Sequence, residues 1–262
     1  MLEQFQSERL LQGNRQIKAG DGWEFMPNKP ATINRLLATL KHMINKGYQW
    51  EMCSEETMKR VSQVKMLKEN NKRLRYLNSD ESIELINNCK DVTRSIVITA
   101  LNTGMRKGEI LSLTWDCIDM KHGFILLDMT KNGERREIPI NDDLRAVFTN
   151  ITRRIDVPYV FYDKNTGKPY QDIKRSFATA CKNSGIWDFH FHDLRHTFAS
   201  RLVMKGADIV KVSKLLGHKS LTMTLRYSHL APNDLQNAVN MLNFTGEEKR
   251  TAYLLHSQQG NQ

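Results

Sequence analysis

The chain has 262 residues, 40% apolar and 26% charged, a length of one or two domains with enough apolar content for a packed core. This excludes a wholly disordered chain, and no apolar run approaches the ~18 residues of a membrane span or the apolar core of a signal peptide. That pattern leads us to expect a soluble protein made in the cytoplasm; Lys and Arg number 39 against 29 Asp and Glu, a net charge of +10 with a pI near 9.4, which points toward a nucleic-acid partner.

In chain order, residues 3–12 read as part of a helix, and 20–30, with Gly20, Gly22, Pro27 and Pro30, as a loop. Residues 31–48 carry Ile33, Leu36, Leu37, Leu40 and Ile44 at helical spacing, with Pro30 before them and Gly47 near the end. Two short helices make a thin core, so residues 1–70 read as a marginal domain or a piece of a larger one. Residues 56–77 hold seven basic and two acidic residues. Charge alone fits either a linker lying along phosphates or a solvated helix face. The pattern then changes. Ser79 is a candidate helix cap with acidic residues behind it. Helices are expected over 82–90, over 92–103 ending at Gly104, and for a turn or two in 106–113. Residues 123–140 read as two strands around Asn132-Gly133, a strong hairpin signal. A helix is expected over 142–155 and a short strand and turn over 157–170. Further helices are expected over 170–185, 192–205, 208–216, 220–229 and 232–242. The polar tail, 245–262, is expected to be mobile. The predicted class is mainly α with a small antiparallel β-hairpin, divided 1–77, 78–244 and 245–262.

Several residues have chemical potential. Arg106 and Glu109 open a helix after Gly104, and fit either a phosphate clamp or an ordinary surface pair. Lys131 sits at the hairpin tip, where it reaches into a cleft or simply solubilises the turn. His190, His192, Arg195 and His196 fall within seven positions. His192 and His196 share a helix face, but the glutamate of a zinc-binding H-E-x-x-H is missing. His192 and Arg195 also share a face and suit a phosphate with proton transfer. His196 reads as structural or capping. His218 and Tyr227 meet only through tertiary folding. The tyrosine's ordinary pKa near 10 makes it a poor nucleophile outside an arginine-rich site. No Walker loop, dinucleotide fingerprint or carboxylate cluster for paired Mg²⁺ occurs, which argues against ATP use and two-metal nuclease chemistry. Cys53, Cys89, Cys117 and Cys181 are dispersed, without C-x-x-C, so a disulfide or zinc-thiolate framework is not expected.

In order and spacing these segments resemble the tyrosine recombinases, the phage integrase family. The resemblance covers roughly residues 74–232. It rests on T-G-M-R-K-G-E-I-L-S-L-T-W (103–115), Lys131 in the hairpin, H-D-L-R-H-T-F-A-S (192–200), L-L-G-H (215–218) and Tyr227 in T-L-R-Y-S-H-L. Some members carry Trp at the position of His218.

The resemblance implies a catalytic domain over 78–244 preceded by part of a helical core-binding domain and a basic linker over 1–77. It implies a site-specific DNA recombinase of phage or genomic-island type, working without metal, ATP or other cofactor. Tyr227 would attack a DNA phosphodiester to give a 3′-phosphotyrosyl link. Arg106 and Arg195 would clamp the non-bridging oxygens, and Lys131 would protonate the leaving 5′-oxygen. His192 would serve as acid–base for the tyrosine, His218 would hydrogen-bond the phosphate, and Glu109 would support the site. Lys59, Arg60, Lys65, Lys68, Lys72, Arg73 and Arg75 would lie along DNA. The implied partners are double-stranded recombination sites, three further protomers on DNA from a monomer in free solution, and accessory DNA-bending proteins. The implied location is the bacterial cytoplasm or nucleoid. The alternatives are a relative that only binds DNA and a type IB topoisomerase-like enzyme.

Overall fold

The computed structural model describes residues 2–12, 15–19, 22–69, 73–127, 135–232 and 239. The chain forms two compact units, Met1–Arg73 and Leu74–Gln262. The division falls at 73/74 rather than at the expected 77/78. Leu77 is fully buried in the second unit, and its amide donates to Thr197 Oγ1 at 3.1 Å.

The first unit contains helix α1 (Leu2–Leu11), strands β1 (Arg15–Ala19) and β2 (Gly22–Met26), and helices α2 (Pro30–Gln49) and α3 (Glu55–Gln63). Within the stretch 20–30, expected to be loop, Gly22–Met26 instead pair with Arg15–Ala19 as the second strand of an antiparallel hairpin, Ala19 facing Gly22. Glycine and proline that bound a short strand give the same sequence signal as those within a loop. Pro30 occupies the first turn of α2, where its missing N–H has no helical partner to lose. Ile33 and Leu37 are buried, whereas Leu36, expected on the same face, is 47% exposed. Buried Asn34 bonds the backbone of Leu67 in both directions, at 2.9 and 2.7 Å. Lys41 Nζ donates to the carbonyls of Ser62 and Val64 at 2.9 and 2.6 Å. Part of the stretch read as linker is therefore a helix and a tethered strap within this unit.

The second unit begins with α4 (Ser79–Asn88), α5 (Asp91–Thr103) and α6 (Lys107–Leu111). The cap of α4 is Asn78 rather than Ser79. Asn78 Oδ1 accepts the Glu81 amide at 2.8 Å and Glu81 Oε2 accepts the Asn78 amide at 2.9 Å. A three-stranded antiparallel sheet follows, in the order β3 (Ile118–Asp119), β4 (Phe124–Leu127), β5 (Arg136–Pro139). The expected hairpin pairs Leu127 with Arg136; its tip, with Lys131, lies outside the described residues. Then come α7 (Asp142–Asn150), α8 (Lys174–Asn183), α9 (Phe191–Met204) and α10 (Ile209–Leu216). Residues 157–170 make only isolated bridges, Thr114 with Tyr159 and Tyr162 with Pro169. The helix expected over 220–229 is two 3-10 turns, Leu221–Met223 and Leu225–Leu230. The expected helix 232–242 and the tail lie almost wholly outside the described residues.

The main core gathers Leu77, Ile96, Ile110, Ile125, Ile138 and Leu194, and a second cluster joins Phe198, Val212, Leu216 and Tyr227. Helix α9 lies between, and it buries Asp193, Arg195, His196, Thr197 and Ser200 as well as its apolar residues. Buried polar groups need partners, and those of Arg195 and His196 lie at the site. Among the described residues no helix is long and apolar enough to cross a membrane.

Candidate active site

Two helix ends build the floor. Helix α5 stops at Gly104 and α10 at Gly217, both left-handed, with φ of +62° and +63°. A Cβ at Gly104 would lie 2.4 Å from the Phe198 ring, so glycine is required there for space as well as for conformation. Helix C-termini expose carbonyls at the negative end of the helix dipole, and guanidinium groups complement both. Arg195 bridges the two ends. Its Nη1 donates to Gly104 O at 2.7 Å and its Nη2 to Leu216 O at 2.6 Å. Arg136, also buried, donates from Nη1 to the same Leu216 carbonyl at 2.6 Å.

Glu109 joins the other arginines. Its Oε1 accepts Arg106 Nη1 at 2.8 Å and its Oε2 accepts Arg136 Nη2 at 2.7 Å. The Arg106 amide also donates to Oε2, at 2.8 Å, which fixes Arg106 at the cap of α6. Burial pushes the Glu109 carboxyl up, but the Arg136 charge and the Arg106 N–H groups outweigh it and hold it below the usual carboxylate range. Three guanidiniums thus face one carboxylate, and the surplus positive charge suits an anion. Burial, with the Arg106 and Arg136 charges, lowers Arg195 to about 10, still charged at neutral pH.

A cleft of about 430 Å³ opens beside this frame, lined by Arg106, His192, Arg195, His196, His218, Thr222, Met223, Arg226 and Tyr227. His192 is exposed. Partial burial and the Arg195 charge hold it below the usual histidine value. His218 Nδ1 lies 2.8 Å from Thr224 Oγ1, and burial with the Arg195 charge pushes it down to about 4. Tyr227 is 1% exposed, and its hydroxyl lies 2.6 Å from Nδ1 of buried His196. Burial raises the phenol despite the opposing Arg226 and Arg195 charges. Burial and the His192 charge push His196 down to about 4. At neutral pH both His196 and His218 are therefore uncharged, each with one nitrogen able to accept a proton.

A sequence profile of the phage integrase family matches residues 75–234, which contain every residue of this cleft. The chain belongs to the phage integrase family. It is 34% identical over 200 residues to the integrase of Salmonella phage P22, covering 71% of this chain and 50% of that one. It is 31% identical over 218 residues to the tyrosine recombinase XerA of Pyrococcus furiosus, covering 81% and 74%. The chain spans about half to two thirds of the length of the first curated relatives that it matches. Among solved structures, the catalytic domain of bacteriophage HP1 integrase aligns with a TM-score of 0.53 at 29% identity, over 66% of this chain and 97% of that domain. The Tn1549 transposon integrase in complex with a circular intermediate DNA shares the fold, with a TM-score of 0.64 at 21% identity over 82% and 80%.

In this family member the structure brings Arg106, Glu109, His192, Arg195, His218 and Tyr227 together at one frame and cleft. Lys131 and Lys72 lie outside the described residues. Lys59 and Arg60 pair with Glu55 and Glu56 on the exposed face of α3, at 2.7 and 3.7 Å. Lys65, Lys68 and Arg73 are exposed. Arg75 is turned into its own unit, donating to Glu81 at 2.7 Å and lying 5.7 Å from the centroid of the Phe189 ring. Sequence reading missed Arg136 and gave His196 no chemical part. The available signal for Arg136 was its place beside Ile138 on the inward face of a strand, where a charge demands a partner.

Proposed function

We propose that the chain is the catalytic part of a tyrosine-type site-specific DNA recombinase, and that residues 1–73 contribute part of a helical core-binding domain. The observation that carries this is the convergence on one cleft of Arg106, His192, Arg195, His218 and Tyr227, drawn from positions 121 residues apart. A buried phenol beside fixed guanidiniums is a poor general acid, but it is suited to attack a phosphodiester held by those guanidiniums.

In the proposed reaction Tyr227 Oη bonds to phosphorus and the bond to the 5′-oxygen breaks. A 3′-phosphotyrosyl ester and a free 5′-hydroxyl result. Arg106 and Arg195 hold the non-bridging oxygens and stabilise the charge of the pentavalent transition state, already oriented by Glu109 and the two helix ends. His218 donates to the phosphate from Nε2 when Thr224 donates to its Nδ1. His192 lines the cleft mouth as a second donor. Lys131, carried over from the family resemblance, protonates the leaving 5′-oxygen. One phosphoester replaces another, so the bond energy is conserved for rejoining, and neither ATP nor a metal is needed to drive the step. The DNA partner is supported by the relatives solved with DNA, among them a lambda integrase dimer bound to a core site. A tetramer on two duplexes, accessory bending proteins and action in the bacterial cytoplasm belong to the same proposal.

The test is covalent trapping. Nicked duplexes tiled across the DNA that flanks the gene are incubated with the protein, and SDS-resistant adducts are sought. An adduct that vanishes in Tyr227→Phe supports the reading. Specific binding with no adduct from the unaltered protein replaces it with a DNA-binding role. Relaxation of supercoiled plasmid without any recombination site replaces it with a type IB topoisomerase-like activity.

A further inference from the structure

We propose that His196, rather than His192, is the base that takes the phenolic proton of Tyr227. The proposal rests on Tyr227 being the nucleophile, as set out above. His196 Nδ1 stands 2.6 Å from Tyr227 Oη, within reach for direct proton transfer, and both side chains are buried. His192 is one turn earlier on α9, exposed, and stacks edge-on against His196 with 5.0 Å between ring centroids. That position places His192 toward the cleft mouth and His196 against the reacting oxygen.

The charges around His196 define its working range. Those facing it are His192, Asp193 and Arg195 on α9, His218 just past the end of α10, and Arg226 beside Tyr227 on the last 3-10 turn. Burial and the cationic neighbours keep the imidazole neutral at pH 7, so it is in the accepting form before reaction. A phosphodiester anion bound by Arg195 opposes the same cationic field, and the proton affinity of His196 rises once substrate is in place. As the Oη–P bond forms, the phenolic proton passes to Nδ1, the P–O5′ bond breaks and the leaving oxygen takes its proton from Lys131. In rejoining, the 5′-hydroxyl returns its proton to Lys131 as it attacks phosphorus, the Oη–P bond breaks and His196 returns its proton to Tyr227 Oη. The proton is conserved across the cycle, in keeping with a reaction that conserves its bonds.

The experiment compares the 262-residue chain with its His196→Asn variant on the nicked flanking duplexes under single-turnover conditions across pH. Asparagine keeps an acceptor for the Tyr227 hydroxyl but cannot hold its proton. The expected result is adduct formation slowed about a hundredfold or more at neutral pH, climbing with pH as hydroxide takes over. The unaltered protein is expected to stay flat over that range, and DNA binding is expected to be unchanged. An Asn variant with an unchanged pH profile reduces His196 to a positioning residue and overturns the proposal. A faster variant makes the contact a brake and overturns it as well. No adduct from the unaltered protein on any duplex overturns the nucleophile reading instead. Imidazole ¹⁵N spectra of the full chain test the contact without DNA. His196 Nδ1 is expected unprotonated and accepting, and a protonated Nδ1 donating to Oη overturns the proposal.

Discussion

Substituting Gly217 by alanine tests how tightly the arginine frame is built. Gly217 holds φ at +63°, and an alanine Cβ there would lie 2.7 Å from Arg136 Nη1 and 3.1 Å from its Cδ. An L-residue in the left-handed region costs about 1–2 kcal/mol. The clash also drives Arg136 off the Leu216 carbonyl, where its bond is 2.6 Å and buried. Loss of a charged hydrogen bond of this kind costs about 1.5–3 kcal/mol, so the expected destabilisation is about 2.5–5 kcal/mol. Gly206 supplies the control, because its φ is +81° and nothing lies within 4 Å of its Cβ position. Gly206→Ala is therefore expected to lose only the conformational part. Urea unfolding of the unaltered chain and the two variants, followed by circular dichroism, measures both. The difference between the two variants isolates the Arg136 clash. Equal losses would refute the claim that Arg136 is pinned between Gly217 and Glu109.

Glu109→Gln is expected to destabilise by about 3–5 kcal/mol at neutral pH, because it leaves buried Arg136 without its counter-charge. Glu109 has a folded pKa below its unfolded value, so its stabilisation is full above the unfolded pKa and fades as pH falls through the folded one. Urea midpoints of the two proteins should converge on acidification, and a gap that stays constant would show that charge is not the cause. Neutral His196 and His218, each held to about 4, work in the same direction. Their unfolded forms bind protons at higher pH, so stability is full above about 6.5 and falls between there and about 4. Histidine NMR titration should find both neutral at pH 5.5, and a normal titration of either would contradict the assigned environment. Burial pushes the Cys89 and Cys181 thiols up to about 11, whereas Cys53 and Cys117 are partly exposed. A thiol reagent at pH 8 should label Cys53 and Cys117 first, and early labelling of Cys181 would mean that α8 is not packed as described.

The helices of the second unit were legible because their apolar periodicity, caps and stops agree. The stop at Gly104 shows this, since one residue there meets both a positive φ and the contact with Phe198. Reading failed where a local signal has two outcomes. Gly22 fits a loop as well as the start of a strand, and it opens β2. The last segment before Tyr227 has helical spacing. Thr222 and Thr224 are β-branched there, and the chain tightens into 3-10 turns that bring Tyr227 back against His196. Tyr227 and His196 are 31 positions apart, so no local pattern could pair them.

The same distinction explains which site residues could be found. Arg106, Arg195, His192, His218 and Tyr227 are named by their side-chain chemistry, and only a few residue types can do what a phosphodiester requires. Their support is of another kind. Arg195 is held by the carbonyls of Gly104 and Leu216, and Arg136 by Leu216 as well. A carbonyl belongs to every residue, so a sequence cannot mark it as a ligand for guanidinium. What marks it is the helix end that exposes it, and here the two ends are signalled by glycine at 104 and 217. Arg136 then completes a chain of contacts from the hairpin strand through Glu109 to Arg106. The strand that leads to Lys131 is thereby coupled to Arg106 through a single buried guanidinium. A change at that guanidinium should disturb the hairpin and Arg106 together, although Arg136 itself faces the interior and not the cleft.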